Sequence, residues 1–221
     1  MIPSHQLTFV EEIALLALDD ATGKRLPMPT LGFSYALAGA ALCDLFHLGR
    51  IDTDPATLTV LSAAPTGDPI LDEVLKVLAA ARAPEPVGSW LGVLAQRSAW
   101  LEAAADDRLV ERGILRRQEN KVLWVFGVRR YPTVDNHERI EVRTRLRALI
   151  LGDDLPDPRD ATLLSLLCAC QLAAVIFRGP EYNARADRLT ALAKMDLVGR
   201  EVSRAIDALG KALLGASPLR L

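Results

Sequence analysis

Between Ala161 and Phe177 only Thr162, Ser165 and Gln171 interrupt a run of apolar residues. A helix that is apolar on every side has no face to offer water and must be covered all round by other elements. The run is shorter than the roughly 20 residues that span a bilayer core. It therefore reads as the buried central helix of a bundle, not as a membrane crossing. With 221 residues and 50% hydrophobic content, the chain has enough apolar surface for one full core. The expected fold class is mainly α: a single-domain helical bundle over residues 5–216, with one or two short β-hairpins.

Local signals place the elements. Thr8 followed by Glu11 is a capping box and starts a helix that Asp19-Asp20 and Gly23 end in a turn. Lys24 to Pro29 is an irregular link, and Ser34 to Leu48 a second helix whose small residues (Ala36, Ala38, Gly39, Ala40, Ala41) allow close packing, with Gly49 as its C-cap. Arg50 to Asp52 and Leu58 to Ser62 form a small hairpin. Pro65-Thr66-Gly67 is a turn, after which Asp68 caps and Pro69 begins a helix with Leu71, Val74, Leu75 and Leu78 on one face. Ser89 caps a helix carrying Trp90, Leu91 and Leu94, and Trp100 to Arg112 is a helix stopped by Gly113. A second hairpin follows, with strand Ile114–Arg117, tip Gln118-Glu119-Asn120-Lys121 and a β-prone return at Val122–Phe126. Helices from Asp135 or Asn136 to Leu151 and over 160–177, 183–195 and 196–214 are expected in the rest of the chain.

Charge and chemistry exclude several functions. A formal net charge of -2 and a pI near 6.0 argue against a dedicated nucleic-acid binder. From Arg108 to Arg147, however, eleven basic residues face five acids, and a local positive field can hold an anionic surface. His5, His47 and His137 are far apart and pair with no cysteine at ligand spacing, and no nucleophile turn or phosphate loop is present. No enzyme activity, metal or cofactor is expected. Cys43, Cys168 and Cys170 lie in apolar runs, where a thiol acts as a small hydrophobe. The start shows no signal-peptide pattern, and a cytoplasmic location is expected. The excess of arginine over lysine points to a bacterial gene.

Three stretches in order resemble one known family: Leu7-Thr8-Phe9-Val10-Glu11-Glu12 leading to Asp19-Asp20-Ala21-Thr22-Gly23; Ala64-Pro65-Thr66-Gly67-Asp68-Pro69-Ile70-Leu71-Asp72-Glu73; and Val110-Glu111-Arg112-Gly113-Ile114-Leu115. The chain resembles the Golgi phosphoprotein 3 family from about Leu7 to its C-terminal helices. The resemblance implies a helical peripheral membrane protein and, as a ligand, a phosphoinositide headgroup such as that of phosphatidylinositol 4-phosphate. The family's headgroup contacts are a Trp and three Arg, and the approximate positions here hold Pro29, Ala38, Ala99 and Glu102. No site residue is carried over from the family.

The residues themselves point to the second hairpin. Arg116, Arg117, Lys121, Arg129 and Arg130 surround Trp124 and a line of aliphatics, a combination suited to anionic lipid because basic side chains near the surface gain about 1 kcal/mol each and Trp favours the headgroup level. These six residues are the candidate lipid-binding site of a non-enzymatic, peripheral protein on the inner face of the membrane. The alternative is a protein-protein adaptor or a homo-oligomer that uses the hairpin edge. Arg139, Arg143 and Arg147 recur every four residues opposite Ile140, which reads as a solvated helix face with a lesser claim to anion binding.

Overall fold

Two consecutive acids, Glu11 and Glu12, decide how the helices meet. The computed structural model describes residues 6–19, 22–54, 57–119, 129–132, 134 and 137–193. Its first helix, α1 (Phe9–Leu16), is buried along its whole length, both carboxylates included. The capping box forms as expected: the Thr8 hydroxyl accepts from the Glu11 amide at 3.1 Å and the Glu11 carboxylate accepts from the Thr8 amide at 2.8 Å. Two further amides at this end, those of Phe9 and Val10, donate to the carboxylate of Asp44 at 3.1 and 3.4 Å. A residue 35 positions away thus finishes the cap.

Helix α2 (Thr30–His47) supplies Asp44 and occupies the centre of the molecule. Every residue from Tyr35 to Leu45 is buried, and the small side chains let α1 and later helices approach closely. The helix starts four residues before the expected Ser34, with Pro29 at the cap, and stops at Gly49. The first hairpin pairs β1 (Ile51–Thr53) with β2 (Leu58–Val60). Helix α3 (Pro69–Ala79) begins as read, with Asp68 Oδ1 accepting from the Ile70 and Leu71 amides. Helix α4 (Val87–Ala95) begins two residues before the expected Ser89, on Pro86, and α5 (Ser98–Glu111) follows.

The second hairpin differs from expectation in register. Its ladder joins β3 (Gln118–Glu119) to β4 (Arg129–Arg130), with Gln118 opposite Arg130 and Glu119 opposite Arg129. Residues 114–117 are the lead-in, and Gln118 and Glu119, expected at the tip, are paired. The expected strand Val122–Phe126 lies outside the described residues, as do Lys121 and Trp124.

Helix α6 (His137–Leu151) returns across α1. The apolar run of 161–177 is two helices, α7 (Pro158–Ala169) and α8 (Ala173–Ile176). Residues Asp160 to Leu167 are buried as a solid block, so this segment is enclosed as its composition demands. The chain then turns at Gln171, whose φ is 60°, while the Leu172 amide donates to Leu167 and the Gln171 amide to Cys168. This closure of a helix end is usually made with glycine; here the complete burial of Leu172 and Ile176 holds a glutamine in it. The helix expected over 183–195 begins at Ala186 as α10 (Ala186–Ala193), and a one-turn helix α9 (Pro180–Asn183) precedes it. The expected helix over 196–214 lies outside the described residues. Cys43 and Cys170 are buried and in no disulfide; burial lifts the Cys168 thiol to about 12 and Cys170 above its ordinary value as well. Among the described residues, no helix is long and apolar enough to cross a membrane.

Candidate functional site

The hairpin root is bolted to the helical body by backbone bonds. The Arg116 amide donates to Pro132 O, the Val134 amide to Ile114 O and the Tyr131 amide to Gly23 O, each at 2.9 Å. Gly23 has a φ of 62°, and a Cβ there would stand 2.6 Å from the Pro132 nitrogen. The glycine ending the Leu18-to-Gly23 motif is therefore the seat on which the hairpin rests, reserved for a residue without a side chain.

Arg116 is exposed on this root and forms no ion pair with a described residue. Arg117, also exposed, pairs with Asp107 of α5; that carboxylate, together with Tyr131, raises its already high pKa. Arg129 and Arg130 form the backbone of β4. Of the six residues assigned to lipid, four thus share one root and ladder, while Lys121 and Trp124 lie outside the described residues.

Much of the basic excess between Arg108 and Arg147 is spent internally. Glu11 holds Arg112 at 2.9 Å and Arg108 at 3.9 Å, and Arg108 also reaches Asp68 at 3.2 Å. Glu12 holds Arg145 at 2.8 Å and Arg159 at 3.0 Å, and Arg145 continues to Asp160 at 2.6 Å. The Arg159 guanidinium also lies 4.0 Å from the centre of the Phe9 ring. Burial pushes the Glu12 carboxyl up from its ordinary value against the pull of Arg159 and Arg145. These arginines lock α5, α6 and α7 to α1 through matched carboxylates.

The same holds for the region where the family resemblance places a headgroup. Arg25 donates to Glu102 at 2.7 Å, to Asp106 at 2.6 Å and to the Ala14 carbonyl at 2.5 Å, while its guanidinium lies over the Phe33 ring. Desolvation lifts Asp106 to about 6 despite Arg25. Ala38 is fully buried and Pro29 caps α2. An internal ion pair fills the place, with two carboxylates where a phosphate would need cations.

Helix α6 corrects one expectation. Arg139, read as part of a solvated stripe with Arg143 and Arg147, is 2% exposed, whereas Ile140 is 59% exposed. The apolar positions Val142, Leu146 and Leu149 define the inward stripe, and Arg139 continues it one step toward the N-terminus. The spacing that could have revealed this was present in the sequence; taking Ile140 as a core residue hid it. Arg139, Arg143 and Arg147 instead line a cavity of about 340 Å³ together with Thr144, Phe177 and Tyr182. On the other flank of α6, a cavity of about 290 Å³ is lined by Glu138, Glu141, Arg145, Arg159, Asp160 and Glu12. Among the described residues no group of three His, Cys, Asp or Glu gathers as a metal site. His47 Nδ1 lies 2.8 Å from the Cys43 carbonyl and its ring packs edge-on to Phe9, a structural role.

A mainly helical body, keyed on buried acids at its first helix and carrying a hairpin seated on the Gly23 turn, defines a helical domain with a two-stranded appendage. Residues 9–209 match the Golgi phosphoprotein 3 (GPP34) family, and the chain belongs to that family. It is similar to vacuolar protein sorting-associated protein 74 of Eremothecium gossypii, with 26% identity over 167 residues, covering 66% of this chain and 49% of the relative. The chain spans about half the length of that curated relative.

Proposed function

We propose that this chain is a non-enzymatic peripheral membrane protein that meets anionic lipid through its second hairpin, from the cytoplasmic side. One observation carries the reading: the root of the basic hairpin is held to the helical body by three backbone bonds and the Gly23 seat, and Arg116 stands exposed on it without a carboxylate partner among the described residues. A basic and apolar projection so anchored can press on a bilayer without unfolding its base. Arg129 and Arg130 form the second strand of the ladder, opposite Glu119 and Gln118, and bring two more basic residues to the root that carries Arg116 and Arg117. The engagement of Arg25 with Glu102 and Asp106 favours diffuse attraction to anionic bilayers over recognition of one phosphoinositide headgroup at the family's position.

Vesicle co-sedimentation tests it. Phosphatidylglycerol vesicles should sediment the protein at low salt and lose it as salt rises. Reversing Arg116, Arg117, Arg129 and Arg130 to Glu should weaken binding at least tenfold, given about 1 kcal/mol for each basic residue at the surface. Unchanged sedimentation of the reversed variant sinks the reading. A second reading rests on the two-stranded β3–β4 ladder, which pairs with no third strand among the described residues and could add to a strand of another copy. Light scattering of Trp124→Asp separates the two: loss of a dimer with lipid binding intact favours self-association.

A further inference from the structure

The register of the β3–β4 ladder continues toward its root. Gln118 lies opposite Arg130. The bonds from the Arg116 amide to Pro132 O and from the Val134 amide to Ile114 O, each 2.9 Å long, fall two and four residues further along both strands. Gln118 with Arg130, Arg116 with Pro132 and Ile114 with Val134 therefore belong to one antiparallel ribbon. In such a ribbon, residues directly opposite each other share a side, and neighbours along a strand take opposite sides.

The helical body takes one side of this ribbon. Leu115 is 2% and Tyr131 6% exposed. Arg117, whose place in the register is opposite Tyr131, pairs with Asp107 of α5, and both Asp107 and Tyr131 act on its guanidinium. The edge is stitched down as well, through the Tyr131 amide on Gly23 O. On the other side Arg116 is exposed, Val134 is 62% exposed although apolar, and Pro132 is half-buried. Ile114, at the base of that side, is buried in the core. Arg116 and Arg117 are adjacent in sequence and stand on opposite sides: one meets solvent without a carboxylate partner among the described residues, the other is tied to α5.

We infer that the outer side of the ribbon, Arg116 and Val134 with Pro132, is the surface that lies against an anionic bilayer, and that Arg117 ties the ribbon to α5 without touching lipid. This rests on the reading of the hairpin as a lipid contact and assigns the contact to one side of it. An apolar side chain beside a cation suits the boundary between headgroups and acyl chains, where the aliphatic group is buried and the cation stays level with the phosphates. A second copy of the chain fits this side less well. Pairing outer side to outer side would bring Arg116 against its own counterpart, and none of Ile114, Arg116, Pro132 and Val134 is an acid that could separate them.

Co-sedimentation of the full chain with phosphatidylglycerol vesicles at low salt tests the assignment through single substitutions. Arg116→Gln and Arg117→Gln remove the same charge, so net charge cannot account for a difference between them. Arg116→Gln should weaken binding about fivefold, the worth of one basic residue at an anionic surface, Val134→Asp at least as much, and Arg117→Gln less than about twofold. Thermal unfolding midpoints of the two outer-side variants should stay near that of the wild type. Should Val134→Asp lower its midpoint, Arg116→Gln at its exposed position carries the test against Arg117→Gln. Equal losses from the two glutamine variants would show that the bilayer senses net charge and not a side of the ribbon, and would overturn the inference while the hairpin reading stood. Full binding by Arg116→Gln and Val134→Asp, with binding lost in the fourfold reversal, would do the same. If Val134→Asp splits a dimer in light scattering and leaves sedimentation unchanged, the outer side belongs to a second copy and the inference falls. Failure of the wild type to sediment overturns the hairpin reading and this inference together.

Discussion

Arginines on the two flanks of α6 do opposite things. Arg145, on one flank, is enclosed by Glu12, Asp160 and Glu141; Arg139, Arg143 and Arg147, on the other, share a cavity that no described carboxylate lines. The residue type, the helix and the spacing are the same. Around Arg145 the packed elements bring acids, α1 presenting Glu12 and α7 presenting Asp160. A buried cation matched by acids is part of the fold, because separating the pair strands a charge.

The comparison breaks most visibly at Glu12. Replacing Glu12 with Ala leaves Arg159 without its only carboxylate among the described residues and takes from Arg145 one of three. Removing one partner of a buried pair costs about 3 kcal/mol or more; partial exposure of both arginines keeps the expectation at the low end of that range. Urea unfolding should show the midpoint drop accordingly. A loss under about 1 kcal/mol would mean that the acid–arginine centre is ornamental and that the two flanks of α6 do not differ in kind.

Asp44 sharpens the same contrast, since it is a buried acid served by amides and not by a directly bonded guanidinium. Desolvation raises its pKa from the ordinary 3.8 to about 8, against the lowering effects of the Phe9 amide, Arg159 and the Val10 amide, with Glu12 raising it further. The folded protein therefore keeps this proton across a range in which the unfolded chain has lost it. Stability from Asp44 is fully present below pH 4 and is lost as pH rises toward 8, with a slope of up to about 1.4 kcal/mol per pH unit. Asp44→Asn, which does not titrate and keeps one acceptor oxygen for the Phe9 amide while giving up the acceptor for Val10, should remove that slope. Urea midpoints of variant and wild type at pH 5.5, 6.5 and 7.5 should diverge in the variant's favour as pH rises. Parallel lines would show that Asp44 is ionised in the folded state.

The legible parts of the fold were those written locally. Thr8 with Glu11, and Asp68 with Pro69, put a helix start within four residues of chain, and both helices begin there. The three family stretches were legible for a related reason: Gly23 seats the hairpin, Thr66 and Asp68 build the α3 cap, and Arg112 reaches Glu11. Illegible were the features that depend on distant partners. Nothing near Glu12 announces Arg159, and nothing near Phe9 announces that Asp44 will cap its helix. The break at Gln171 is invisible in a run whose propensity continues, because tertiary burial of Leu172 selects it. The basic hairpin was seen as a candidate site from its composition, but most of the surrounding positive charge could not be assigned to the interior without knowing which acids α1 and α7 deliver.

The smallest expected effect is on the other flank of α6, at Arg147. Arg147→Ala removes a cation that lies over the Tyr182 ring and forms no ion pair with a described residue, near a like-charged neighbour one turn away at Arg143. The lost cation–π contact at an exposed site is worth about 0.5–1 kcal/mol, and relief of like-charge repulsion at i,i+4 returns a few tenths of that. Stability measured by thermal unfolding should therefore change by no more than about 0.5 kcal/mol, in contrast to Glu12→Ala. A large loss would make Arg147 a structural residue like Arg145, and the two flanks of α6 would then be variations on one ion-paired core.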